Sequence, residues 1–154
     1  RGSSSFLKSL LTAIACLTLV ATVAVGADPV YKTYFGSKAI NGYDAVAYHL
    51  TKQAVKGTKQ HAHNWKGANW YFSSAANLAK FKEAPEKYAP QFGGWCAWAI
   101  SEADKLVKTN PSVFDLYEGK LYLNYSKDTQ SKWRADMARM IKRGNITYPR
   151  LITK

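Results

Sequence analysis

The chain has 154 residues and a formal net charge of +12 at neutral pH. That length is sufficient for one hydrophobic core and does not require several domains. The basic charge favours anionic partners without setting a fold, and a nucleic-acid-binding protein would normally place such charge on one stripe with interleaved aromatic side chains.

An apolar segment near the N-terminus predicts export. Residues 10–25 carry no charge, follow Lys8, and lead into small residues before Asp28, which is typical of a secretory signal peptide cleaved after Ala27. The alternative is a retained anchor, but the segment is short for a membrane span of about 20 residues. We interpret residues 1–27 as the signal peptide, with a truncated or cloning-derived start, and residues 28–154 as one periplasmic or secreted domain. An exported domain has little access to nucleic acid.

Cysteine usage singles out one thiol. Cleavage after Ala27 would remove Cys16 and leave Cys96, so the mature domain could form no internal disulfide. A lone thiol in an oxidising compartment is buried and inert, paired to another molecule, or used chemically. Cys96 lies between Trp95 and Trp98, after two glycines that allow close approach of a backbone or a ligand.

The first part of the mature chain indicates short extended elements. Residues 28–37 are interpreted as an extended lead-in, and residues 40–50 as the turn signal Asn41-Gly42 followed by a short, mostly buried strand or turn-strand unit. Asp44 stands where its carboxylate can cap nearby N–H groups. His49 follows, and a structural, partly buried role is more common for such a histidine than metal ligation.

A first hairpin is predicted after a polar loop at residues 51–60. Residues 61–65 and 68–72 flank the turn Lys66-Gly67. This register sets His63 opposite Trp70 and His61 opposite Phe72, on the face of the first strand that also carries Trp65. The spacing of the two histidines suits a chelate, but the shared aromatic face favours packing at the rim of the core.

A short helix is expected before Cys96. Ser73 and Ser74 can cap a short helix that ends at Pro85, with one further turn beginning at that proline. The apolar residues 95–100 fit either a buried strand or a turn of core helix, because periodicity cannot distinguish the two in so short a segment.

The C-terminal part predicts a second hairpin and a long helix. Residues 113–117 and 120–125 flank the turn Glu118-Gly119, and residues 127–143 form a helix capped by Ser126 and closed by Gly144. The predicted fold class is α+β, with a small antiparallel sheet of short hairpins packed against short helices and a longer C-terminal helix. The core-facing stripe of that helix comprises Trp133, Met137, Met140 and Ile141.

Several segments share one family pattern. They are Asn41-Gly42-Tyr43-Asp44-Ala45-Val46-Ala47-Tyr48, Trp70-Tyr71-Phe72-Ser73-Ser74, Phe81, Ala84-Pro85-Glu86-Lys87-Tyr88 and the extension Phe92-Gly93-Gly94-Trp95-Cys96-Ala97-Trp98. Together they resemble a YHS domain, and the extension is similar to exported single-domain bacterial members of that family. Because YHS domains resemble metal-binding domains of the TRASH type, the resemblance implies metal handling, with copper or zinc as the ion.

The cysteines of the family's metal-binding pattern are replaced in this chain. Their positions hold Ala47, Ser73 and Asn77, none of which is a good ligand for a soft ion. The donors that remain are one thiol outside the short YHS segment and three imidazoles. These candidate metal ligands are Cys96, His49, His61 and His63.

Three functions follow from these features. The first is an exported, non-enzymatic binding protein that handles a copper-like metal through Cys96 and nearby histidines. The alternative is a pocket around Trp95 and Trp98 that binds a small apolar or anionic ligand, and the third is a cysteine-dependent enzyme. The partner is therefore a metal ion or a small molecule, with a weak attraction to anionic membrane surfaces expected from the charge.

Overall fold

The fold described here is that of a computed structural model of the chain, in which residues 26–153 are described. The predicted signal segment at residues 10–25, with Cys16, lies outside these residues. Among the described residues, no helix is both long enough and apolar enough to cross a membrane.

The architecture is α+β, as predicted, with two antiparallel hairpins and six α-helices in residues 26–153. The strands are β1 (Thr58–Trp65), β2 (Ala68–Phe72), β3 (Asn110–Tyr117) and β4 (Lys120–Asn124). The helices are α1 (Ala45–Thr51), α2 (Ala75–Glu83), α3 (Pro85–Tyr88), α4 (Ala97–Ala103), α5 (Lys127–Arg134) and α6 (Met137–Ile152).

The hairpins form where the turn pairs predicted them. Lys66 and Gly67 both adopt positive φ, as do Glu118 and Gly119, which is the backbone that tight two-residue hairpins require. His63 pairs with Trp70 as expected, but Phe72 pairs with Thr58 and not with His61. The prediction for His61 was wrong because β1 begins three residues earlier and contains an irregularity between Thr58 and Ala62.

The strand predicted after Asn41-Gly42 is a helix, α1. Asp44 precedes α1 and accepts from the amides of Val46 and Ala47 at 2.9 and 3.1 Å, so its capping role was predicted correctly while the element was not. A short apolar segment such as Ala45 to Tyr48, all buried, has the same composition in a strand or a helix, and here the cap favours the helix. The segment after Cys96 is also helical and forms α4.

The long C-terminal helix is broken in two and extends further than predicted. Ser126 caps α5 with a complete capping box, but the helix ends at Arg134 and a new helix begins at Met137. Gly144 does not end α6. It is buried inside the helix, where the ring of Phe92 occupies the space that a Cβ would fill. A glycine that predicts the end of a helix in the sequence here allows a close packing contact inside one.

Two hydrophobic cores meet at β4. Leu121 and Leu123 point into the first core, built on Trp70, Phe72 and Phe81, while Tyr122 on the opposite face joins the second. The second core contains Phe92, Ala97, Ile100, Trp133 and Met140. Because β4 has a core on each face, its side chains from Leu121 to Asn124 are all buried, and the two halves of the protein are joined without a linker.

Candidate functional site

Cys96 is fully buried in the interior of the protein. It precedes α4, has no exposed surface, and its Sγ lies 3.5 Å from Oδ1 of Asn124. The same amide oxygen accepts the N–H of Trp98 at 3.1 Å. In this conformation the thiol cannot be reached from solvent, and its side-chain hydrogen bond goes to an amide rather than to an imidazole. A nucleophile paired with a histidine base is therefore not present at Cys96.

His49 has a structural partner in the first core. Its Nε2 lies 3.2 Å from the carbonyl oxygen of Tyr88, and its ring packs edge-on against the ring of that tyrosine at 5.4 Å. Since a carbonyl only accepts, Nε2 carries the hydrogen. Burial lowers the pKa of His49, and the positive charges of Lys52 and Lys87 act in the same direction. The imidazole is thus neutral at neutral pH, and its contacts with Tyr88 join α1 to α3.

His61 and His63 lie on β1, half-buried at the edge of the first core. The ring of His63 stands 6.4 Å from that of Phe81 in an edge-on arrangement, and Trp65 approaches the same phenyl ring at 5.5 Å. His63 therefore packs at the aromatic rim. Half-buried and exposed positions alternate from His61 to Trp65, so both histidines share the face of β1 that carries Trp65.

The four predicted metal ligands do not form one site. Cys96 is buried at the start of α4 beside Asn124 of β4, whereas His49 contacts α3 and the other two histidines lie on β1. Within residues 26–153, no group of three or more His, Cys, Asp or Glu side chains is arranged to hold a metal ion.

The family's metal positions are drawn together around a carboxylate. Asp44 is completely buried, and its Oδ1 accepts the amides described above. Its Oδ2 accepts the Ser73 amide at 2.8 Å, the Ser73 hydroxyl at 2.6 Å and the Asn77 side-chain amide at 2.8 Å. Five donors thus saturate the carboxylate, and the hydroxyl and amide groups around it do not fit a soft metal ion.

Trp95 and Trp98, around which a ligand pocket was predicted, each contact neighbouring groups of the protein. Trp95 donates its Nε1–H to the Asp28 carbonyl at 3.0 Å and packs on Tyr31, while Trp98 is half-buried with the Lys132 ammonium 5.4 Å from its ring centre. Neither indole lines the cleft that the structure describes between the first hairpin and α6.

The cleft lies between the first hairpin and α6, and has a volume of about 250 Å³. Its floor and walls are aromatic, with Trp65 and Trp70 from the hairpin facing Phe92 and Tyr148 from the other half. Trp65 and Trp70 pack edge-to-face at 5.6 Å, and the Trp70 Nε1–H is held by the Trp65 carbonyl at 3.0 Å. The indole donor is thereby satisfied, which leaves an apolar surface toward the cleft.

Polar groups stand at the edge of these rings. The Lys66 ammonium lies 2.7 Å from a Glu86 carboxylate oxygen and 4.4 Å from the centre of the Trp65 ring. Both charged side chains are well exposed, so their ion pair contributes little free energy and can be exchanged for another partner. Two amide side chains, Gln91 and Asn145, add neutral donors and acceptors to the lining.

Tyr148 closes one end of the cleft. Its hydroxyl donates to the carbonyl oxygen of Pro29, which ties α6 to the start of the described chain. Burial, with a smaller contribution from the Glu86 carboxylate, raises the pKa of Tyr148 to about 12. The hydroxyl therefore stays protonated at neutral pH, and the contact between α6 and Pro29 persists there.

Sequence reasoning missed this cleft because its walls come from four distant segments. Pro29, the hairpin turn, the residues around Phe92 and the last turns of α6 meet only after folding. One signal was present: Asn145, Tyr148 and Pro149 follow the glycine that was interpreted as a helix stop. Continuing the helical pattern past Gly144 would have set Tyr148 on the face that carries Ile141.

Comparison with known proteins gives one family. The YHS domain family model matches residues 46–92, which include α1, the first hairpin, α2 and α3. No curated protein and no solved structure matches the chain significantly. The matched segment contains the whole of the first hairpin and Glu86 but not Tyr148, so the cleft is formed between the matched segment and the C-terminal helix.

Proposed function

Because residues 46–92 form a YHS domain, which is consistent with a metal-associated domain, we propose that the chain is an exported, non-enzymatic binding protein whose ligand occupies the cleft between that domain and α6. The observation that carries the proposal is the cleft itself. It combines aromatic walls with a few polar groups, the usual make-up of a small-molecule site. Its volume of about 250 Å³ limits the ligand to one or two rings.

The ligand we propose is a small apolar molecule with one anionic group. Trp65, Phe92 and Tyr148 supply flat apolar surface for its ring. Lys66 supplies a cation that an exposed and weak ion pair holds at the edge of that surface. The net charge of +12 raises the local concentration of anions around the protein as a whole.

A set of three ring compounds tests this proposal. Titration calorimetry with phenylacetate, phenethyl alcohol and phenethylamine compares an anion, a neutral molecule and a cation of similar size. We expect phenylacetate to bind most tightly, and Lys66→Gln to weaken it about fivefold, as befits loss of roughly 1 kcal/mol at a partly exposed ion pair. The alcohol should bind the variant and the wild type equally.

The control is Lys82→Gln, which removes the same charge from an exposed position on α2 that does not line the cleft. It leaves phenylacetate binding unchanged if the effect at Lys66 is local. A preference for phenethylamine would reverse the assignment and point to Glu86. Failure of all three compounds to bind, with no small molecule carried through purification in native mass spectra, would reject the cleft as a binding site.

Metal handling is the second candidate, favoured by the match to the YHS family. It would use Cys96 with one or more histidines and requires α4 to open, since the thiol has no exposed surface. We expect anaerobic copper(I) titration to give a thiolate-to-metal absorption band in the wild type and none in Cys96→Ala. An identical stoichiometry in both proteins would remove the thiol from any metal-binding function.

A further inference from the structure

The turn at the start of the domain exposes two aromatic rings to solvent. The side chains of Tyr34 and Phe35 are 92% and 82% exposed, against 48–60% for the other large apolar side chains that are exposed in residues 26–153. Their rings pack edge-to-face at 4.9 Å and thus form one apolar tip. Neither ring contributes to the two cores.

The tip is held by hydrogen bonds on both sides of the turn. The amide of Thr33 donates to the Lys38 carbonyl at 3.0 Å, and the Thr33 hydroxyl donates to the carbonyl of Phe35 at 2.7 Å. From β2, the side-chain amide of Asn69 donates to the Gly36 carbonyl at 3.0 Å. The exposure of the rings is therefore a fixed feature of a tethered turn and not that of a free chain end.

Lysines surround this tip. Lys32 and Lys38 flank the turn directly, and the Lys38 side chain passes beside Gly36 and Gly42. Lys56 pairs with Tyr43 next to Gly42 and lies over the tyrosine ring. From residue 28 to residue 60 the acidic residues are Asp28, which pairs with Lys32, and the fully buried Asp44. The surface behind the apolar tip is consequently cationic.

We propose that this turn inserts into the surface of an anionic lipid bilayer. Tyr and Phe at the tip would lie at the boundary between headgroups and acyl chains, about 5–10 Å deep, where aromatic side chains are favoured. The lysines behind them would face the anionic headgroups, and their attraction decays within a Debye length, about 8 Å at physiological ionic strength. This surface is separate from the cleft, and the proposal does not depend on the cleft's ligand.

Fluorescence of an indole added at the tip tests the proposal in the full chain. Phe35→Trp is measured with vesicles of phosphatidylcholine and phosphatidylglycerol that contain a shallow nitroxide quencher. We expect the emission added by this substitution to shift to shorter wavelength and to be quenched. In pure phosphatidylcholine, or at an ionic strength of about 0.5 M, both effects should be largely lost because the lysines are screened.

Ile146→Trp is the matched control, since Ile146 is a 60% exposed apolar residue on α6. Its added emission should be unaffected by the quencher, which shows that the tip and not the whole protein surface enters the lipid. The readout is local, so attachment through the N-terminal segment does not by itself give the expected result. Absence of quenching at position 35, equal quenching at both positions, or equal effects in neutral vesicles would overturn the proposal. So would loss of the tip's exposure through self-association in sedimentation experiments without lipid.

Discussion

Asp44→Ala should destabilise the protein by about 4 kcal/mol or more, enough to leave the chain largely unfolded at physiological temperature if its stability is ordinary. The carboxylate is completely buried and accepts five hydrogen bonds. Removing it leaves two backbone amides of α1 and that of Ser73, just after β2, without their acceptor, and each unsatisfied buried donor costs about 1–3 kcal/mol. Urea denaturation followed by tryptophan fluorescence measures the loss.

The control for this prediction is Ser73→Ala. It removes the 2.6 Å hydroxyl contact to Asp44 while the amide of the same residue stays bonded to that carboxylate. We expect a cost of about 1–2 kcal/mol, as for one hydrogen bond to a charged acceptor. If Asp44→Ala costs no more than Ser73→Ala, the carboxylate does not hold these elements together and the hydrogen-bond network is incidental.

The hydrogen bonds to Asp44 bear on the proposal that this domain binds a metal. They occupy the positions where the family pattern has cysteines, and they tie the N-terminus of α1 to the end of β2 and the first turn of α2 through Asn77. A soft metal bound by thiolates would crosslink the same three segments. In this chain, hydrogen bonds to Asp44 link α1, the end of β2 and the first turn of α2 without a metal ligand set.

Local signals along the chain predicted most of the elements. The pairs Lys66-Gly67 and Glu118-Gly119 predicted both hairpins, because glycine readily adopts the positive φ that tight two-residue turns require. Ser126 and Ser74 predicted the starts of α5 and α2, each with its side chain accepting an amide of the first turn. These signals act over three or four residues, so a single sequence contains them in full.

Signals that depend on tertiary packing were missed. Gly144 resembles a helix stop, yet it lies inside α6. Phe92, more than fifty residues earlier in the chain, packs into the space that a side chain at Gly144 would fill. In the same way, Cys96 lies between tryptophans in the sequence, but in the fold its Sγ contacts Oδ1 of Asn124. Neither contact leaves a trace in the residues adjacent to it in the chain.

The cleft shows the same limit for function. The sequence predicted an aromatic pocket around Trp95 and Trp98, whereas the cleft is lined by Trp65 and Tyr148, which are brought together only by the packing of α6. The glycine pair before Cys96 was interpreted as room for a close approach. The structure identifies what approaches: the chain near Pro29 lies against Gly93.

Gly93→Ala should cost about 3–4 kcal/mol of stability and remove ligand binding in the cleft. Gly93 has a φ of +61°, and a Cβ there would overlap the carbonyl oxygen of Pro29 and come within 2.9 Å of the Tyr148 hydroxyl. The backbone of Pro29 cannot retreat without losing the Tyr148 contact and the 2.9 Å bond from the Tyr31 amide to the Gly93 carbonyl. Overpacking and an unfavourable φ therefore add together.

Gly119→Ala separates these two contributions. Gly119 has a φ of +74° in the second hairpin turn, and no atom lies within 4 Å of the position that its Cβ would occupy. Only the backbone penalty applies, so we expect a cost of about 1 kcal/mol and phenylacetate binding as in the wild type. Urea denaturation and calorimetry on both variants measure the difference. Equal losses of stability would show that the Pro29 carbonyl and the Tyr148 hydroxyl do not pack closely against Gly93 in the folded protein.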